Sequence, residues 1–245
     1  MPNWLPFGFF GTALLYASVG FGGGSTYSAL LALAGTAFTV LPIISLACNI
    51  VVVSGSTVRF SLAREVPWKG ALLLSLVAAP MAFLGGLTPV KEKTFLLLLG
   101  ASLILAGLAL LLPRKEQQGE PSRYVRLMPL AAAPLGYLAG LVGIGGGIFL
   151  APLLHFTRWG SARRIAATTS LFILINSATG LVGQLVKSGA GRFGEGLSGG
   201  WVLLLAVIVG GQLGTLLALR ILPERVIRWL TAALTIWAGT NLLLK

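Results

Sequence analysis

The sequence predicts an all-α polytopic membrane protein built from two inverted-topology repeats. Each repeat is a Gly-broken re-entrant hairpin followed by three transmembrane helices. Three observations predict it. Hydrophobic residues make up 56% of the 245 positions and Asp, Glu, Lys and Arg only 10%, with a mean hydropathy of +0.92. A water-facing globular chain is about 45–50% apolar and about 25% charged. Two glycine clusters interrupt apolar segments at matching places in two similar halves. The positive charges also sort strongly to one side under one topology and not under the other. A soluble enzyme, a disulfide scaffold and a coiled coil are excluded by this composition.

The elements follow in order. Met1-Pro2-Asn3 carries no basic n-region, so no cleaved signal peptide is expected, and Trp4 reads as an interfacial anchor. Segment 1a runs from Trp4 to about Val19 and breaks at Gly20-Phe21-Gly22-Gly23-Gly24; a short segment 1b follows to about Gly35. Segments 2, 3 and 4 cover about Val40 to Leu62, Trp68 to Leu87 and Lys93 to Leu112, which closes repeat 1 over residues 1–112. Residues 113–126 form a polar linker, expected to be cytoplasmic. Repeat 2 covers 127–245. It opens with segment 5a, about Leu127 to Val142, which breaks at Gly143-Ile144-Gly145-Gly146-Gly147 before segment 5b reaches Phe156. Segments 6, 7 and 8 cover about Ala162 to Val186, Trp201 to Leu222 and Val226 to Leu244. At 1.5 Å per residue, segments 1b and 5b rise about 14–17 Å, half a bilayer, which suits re-entrant half-helices.

Charge counts choose between topologies. Eight crossings in parallel repeats split the 18 Lys and Arg ten against eight, which gives no orientation. Re-entrant hairpins invert the halves. Only Lys91, Lys93, Lys187, Arg192 and Lys245 then oppose the other thirteen. That bias predicts inverted repeats with both termini outside. Most of the +12 net charge therefore describes orientation and not a nucleic-acid partner.

The breaks carry the chemistry. Three glycines before a new helix leave its first N–H groups uncovered, at an end with about half a positive charge, which favours an anion. Irregular backbone at membrane depth requires protein or a water-filled cavity around it. Two such breaks meeting near the midplane form a cradle for a small anion, made by Gly22, Gly23, Gly24 and Ser25 on one side and Gly145, Gly146 and Gly147 on the other. Close helix packing through small residues is the alternative for either break taken singly. Asn49 on segment 2 and Ser170 and Asn176 on segment 6 are expected to complete the shell as neutral donors, with Ser170 matched against Asn49. For any one hydroxyl, an interhelical hydrogen bond is the commoner role.

Other chemistries lack their parts. The six acids lie at loops or helix ends, so no carboxylate relay crosses the membrane. His155 is the one candidate for proton coupling, against a stronger reading as an interfacial half-helix-end histidine. One His and one Cys leave no catalytic pair and no metal set. Neither glycine run continues as a phosphate loop. No cofactor and no metal are expected. The expected partners are a small anionic substrate and the lipid bilayer, without nucleic acid, and a homo-oligomer is left open.

With Gly20-Phe-Gly-Gly-Gly24, Gly143-Ile-Gly-Gly-Gly147 and Ile148-Phe-Leu-Ala-Pro152 in view, the chain resembles the sulfite exporter TauE/SafE family. The resemblance covers nearly the whole chain. The second motif is nearer the family pattern than the first, where Ser25-Thr26-Tyr27-Ser28-Ala29 replaces the proline-containing run. The resemblance implies transport, often export, of sulfite, sulfoacetate or other organosulfonates across a bacterial inner membrane. A passive anion channel and a non-transporting scaffold or accessory subunit stand as alternatives.

Overall fold

The structure, a computed structural model, describes residues 2–18, 21–111, 123–189, 200–218 and 224–244. Gly20 of the first break, most of the polar linker (113–122) and the end of segment 7 lie outside the described residues. The described residues form ten α-helices and no β-strand. They are α1 (Leu5–Ser18), α2 (Gly24–Leu33), α3 (Leu41–Leu62), α4 (Trp68–Leu87), α5 (Glu92–Leu111), α6 (Met128–Val142), α7 (Gly147–Phe156), α8 (Ala162–Ser188), α9 (Trp201–Ala218) and α10 (Glu224–Leu243). A 3-10 turn, Arg123–Leu127, leads into α6 where the linker was expected to end.

The helices form where apolar runs meet helix-compatible ends. Pro42 and Pro129 occupy the first turns of α3 and α6, where a missing N–H costs nothing. Ser161 caps α8, its hydroxyl accepting from the Arg164 N–H at 3.3 Å. Among the described residues five stretches, α3, α4, α5, Tyr124–Val142 and α8, are long and apolar enough to cross a membrane. By contrast α2 and α7 have 10 residues each and rise about 15 Å, half the hydrocarbon core.

Packing interleaves the early and late helices. α4 lies against α6 and α8, α1 against α9, and α5 against α10. α3 and α8 pack together at the centre, with α2 along α3 and α7 along α8. Small residues permit the close approaches. A Cβ on Gly136 or Gly140 of α6 would strike the carbonyls of Ala78 or Ala82 on α4, and one on Gly210 or Gly214 of α9 would strike those of Phe10 or Leu14 on α1. Between apolar helices in lipid, such backbone proximity replaces the hydrophobic drive.

Two surface contacts tie loop ends together. Arg163, at the start of α8, lies 4.0 Å from Glu65, just past α3. Lys187, near the end of α8, donates to the Thr88 carbonyl beyond α4 at 3.4 Å.

Candidate functional site

Each break is a helix, a short glycine turn and a new helix. α6 closes on Ala139, whose carbonyl accepts from Gly143 and Ile144 N–H at 3.0 and 3.2 Å. In the first break the Phe21 N–H returns to the Tyr16 carbonyl at 2.8 Å. α2 and α7 then start from glycines in the same conformation. Gly23 has φ 82° and Gly146 has φ 76°, both left-handed N-caps. That region is open to glycine and costs other residues about 1–2 kcal/mol. Gly23 and Gly146 offer their carbonyls to Tyr27 and Leu150, and neither helix start has a side-chain cap. The first-turn N–H groups of Gly24, Ser25, Gly147 and Ile148 thus have no intrahelical acceptor.

One side chain reaches both breaks. Asn49 on α3 is fully buried, and a Cβ on Gly22 would strike its Oδ1, one on Gly24 its Nδ2. A Cβ on Gly145 would come within 2.8 Å of the same Nδ2. Glycine in all three places therefore makes room for one amide. Next to it, Ser45 donates its hydroxyl proton to the Gly24 carbonyl and holds the first turn of α2 on α3.

Buried polar atoms without a hydrogen-bond partner gather here. They include both amide atoms of Asn49 and the hydroxyls of Thr12, Tyr27, Thr169 and Ser177; both amide atoms of Asn176, further along α8, are likewise without a partner. Tyr27 and Thr12 flank Gly23, Ser177 flanks Gly145, and Thr169 flanks Gly147. Leaving such a group unsatisfied costs about 1–3 kcal/mol. The side-chain atoms facing the break glycines are amides, hydroxyls and apolar groups, none with a formal charge. Positive potential at this place comes from the two helix starts.

The structure moves one expected correspondence. Around the first break α3 presents Ser45, Asn49 and Val53. Around the second, α8 presents Thr169, Ile173 and Ser177. The counterpart of Asn49 is thus Ile173, not Ser170. Asn176 falls opposite Val52, one turn out of register. Ser170 and Asn176 are buried beside this stripe. Ser25 is buried in the first turn of α2.

The two half-helices also differ. α2 carries Ser25, Thr26, Tyr27 and Ser28, all buried, where α7 carries Ile148, Phe149, Leu150 and Ala151. Tyr27 stacks on Phe9 with centroids 4.7 Å apart. The Tyr16 hydroxyl bonds both Thr26 at 2.8 Å and Thr235 on α10 at 2.6 Å. Thr235 donates its own proton to the Thr231 carbonyl, so Tyr16 donates to Thr235 and accepts from Thr26. Sequence reading passed over Thr12, Tyr16 and Tyr27 because an aromatic or a lone hydroxyl in an apolar segment reads as core.

The other expected residues lie apart. His155 is half-buried in the last turn of α7, the end away from the break. Cys48 is buried in an apolar cluster with Tyr27 and Leu30. Arg59 donates to Gln212 on α9 at 3.2 Å. Near the second break, Pro42 packs on Gly143 and helps line a cavity of about 160 Å³, with Leu141, Gln184 and Lys187 among its walls. Gln184 donates to the Gly140 carbonyl at 2.8 Å and fixes that wall.

A family profile described as "Sulfite exporter TauE/SafE" matches residues 4–242. A "Probable membrane transporter protein y4hK" of Sinorhizobium fredii is 31% identical over 244 residues, 98% of this chain and 97% of its own. A "Probable membrane transporter protein" of Xylella fastidiosa is 30% identical over 169 residues, 64% of this chain and 61% of its own. A "Probable membrane transporter protein YunE" of Bacillus subtilis is 23% identical over 180 residues, 65% and 63% of the two chains. No solved structure matches the chain significantly.

Proposed function

The chain belongs to the sulfite exporter TauE/SafE family of membrane transporters, and we propose that it carries small sulfur oxyanions bearing one negative charge, held between the two glycine breaks. The observation that carries this reading is Asn49, buried without hydrogen-bond partners against Gly22, Gly24 and Gly145, between two helix starts that lack side-chain caps. Two helix ends supply about half a charge each, so together they balance about one negative charge. A dianion has no buried cation at the breaks to pair with and pays a large desolvation cost. Sulfonates and bisulfite fit better than sulfate on this reasoning.

Two surface contacts bear on orientation. The Arg163–Glu65 ion pair and the Lys187–Thr88 hydrogen bond support inverted halves, since both join residues that only the inverted arrangement puts on one side. The side rich in Lys and Arg is then cytoplasmic, and the Lys187 cavity opens outward. The two-repeat division near residues 113–126 and export from the bacterial cytoplasm belong to the same proposal.

The test is thermal stabilisation and flux with purified protein against sulfite, sulfoacetate, thiosulfate, sulfate and a carboxylate control. The account expects sulfite, which is partly the bisulfite monoanion near neutral pH, to stabilise most, and the dianions sulfoacetate, thiosulfate and sulfate least. Equal stabilisation by all five contradicts the cradle. A passive anion channel is the second reading, favoured by the placement of Glu65, Glu92 and Glu224, the acids among the described residues, at a loop or at helix starts. Uptake against a concentration gradient in proteoliposomes decides against it.

A further inference from the structure

Arg228 sits in the second turn of α10, only 8% exposed, and its Nε is buried without a hydrogen-bond partner among the described residues. Arg163, by comparison, has its side chain 77% exposed. Positive-inside anchoring favours an arginine head freely in water, as in Arg163, whereas Arg228 is largely enclosed by protein. A buried cation without a full set of partners in a membrane protein is expensive and is a candidate for a functional role by default.

The face of α10 that carries Arg228 is polar. Arg228, Thr231 and Thr235 recur at i, i+3 and i+7, one face of α10, and both threonines are fully buried. That face ends at Thr235, which bonds Tyr16, which bonds Thr26 in the first turn of α2. From Arg228 to Thr235 is about 10 Å along the axis at 1.5 Å per residue. α10 packs on α2 and on α1, so this track runs beside the first half-helix and ends at its uncapped start. The first turn of α7, by contrast, is apolar.

We infer that Arg228 is an anion-binding residue on the approach to the first break, a charged station from which the anion passes along Thr231 and Thr235 to the α2 half-site. The inference rests on the cradle reading and makes access asymmetric. On the cytoplasmic side the anion meets α2 before α7. Arg228 sets the concentration at which the carrier fills. The uncharged break sets the turnover, because an anion held on a fixed cation at the break itself would leave slowly.

The experiment uses the full chain in proteoliposomes with radiolabelled sulfite. Arg228→Met keeps the apolar stem and removes the charge. Its half-saturating concentration should rise at least about tenfold at near-wild-type maximal rate, and added salt should inhibit it less than wild type. Arg228→Lys should stay within a fewfold of wild type. Unchanged half-saturation and salt dependence in Arg228→Met overturn the inference. Thr231→Val, one turn along the track, covers the case in which Arg228→Met does not fold. A severalfold rise in its half-saturation is expected, and none overturns the inference. Gly146→Val is run in parallel. Loss of flux there beside a silent Arg228→Met sinks the arginine alone, whereas full flux in Gly146→Val sinks the cradle.

Discussion

Replacing Asn49 with leucine should make the anion-free protein more stable and the transporter worse. Leucine keeps the branched γ carbon that fits between Gly22, Gly24 and Gly145, so shape is preserved. Asn49 is fully buried and neither amide atom has a partner. An unsatisfied buried polar group costs about 1–3 kcal/mol, and the substitution removes two. The melting temperature without anion should therefore rise by several degrees, at about 2–4 °C per kcal/mol for a chain of this size. A hydrogen bond to a charged group contributes about 1.5–3 kcal/mol, so anion affinity should fall about ten- to hundredfold. Thermal unfolding of purified protein, without anion and across a sulfite titration, reads both effects. Opposite signs are the signature of a polar group kept for its ligand at the expense of stability. A less stable Asn49→Leu with wild-type affinity would refute the reasoning and return Asn49 to a structural role.

Other substitutions test neighbouring parts. Gly146→Val and Gly23→Val should abolish flux while the protein still reaches the membrane, because both positions hold positive φ; wild-type flux in either, measured in proteoliposomes, contradicts the break geometry. Tyr16→Phe removes the bonds to Thr26 and Thr235 and should lower stability by about 1–2 kcal/mol, read as a fall in melting temperature. Gly140→Val drives a side chain into the Ala82 carbonyl and should cost about 1–3 kcal/mol or more by overpacking α6 against α4, read as loss of folded, monodisperse protein. Sulfite flux should rise as pH falls across the sulfite–bisulfite transition. Flux of a sulfonate, which keeps one charge throughout, should follow no such rise.

The outline was legible because it rests on glycine and length. The breaks at Gly22–Gly24 and Gly145–Gly147 appear as turns, and the half-helices end within two residues of expectation. Asn49 was legible because an amide in an apolar run has few ways to be satisfied. Side-chain register was not. Pairing Ser170 with Asn49 followed residue type, but the helix faces are set by packing, and they align Asn49 with Ile173. Periodicity could not correct this, because in a membrane both the lipid face and the core are apolar. Exposed Leu76 and Leu105 and buried Leu74 and Leu103 look alike in sequence. The interleaving of α1 with α9 and α6 with α4 was hidden for the same reason. Burial likewise separates Arg228 from Arg64, Arg126, Arg158, Arg163 and Arg164, which are exposed, and no local pattern announces it.

The most direct test of the cradle is a crystal structure with selenite, whose selenium reports its own position by anomalous scattering. The account predicts one peak within hydrogen-bonding distance of the Asn49 amide and of the N–H groups that open α2 and α7. A peak confined to the Lys187 cavity, with none between the breaks, would contradict it.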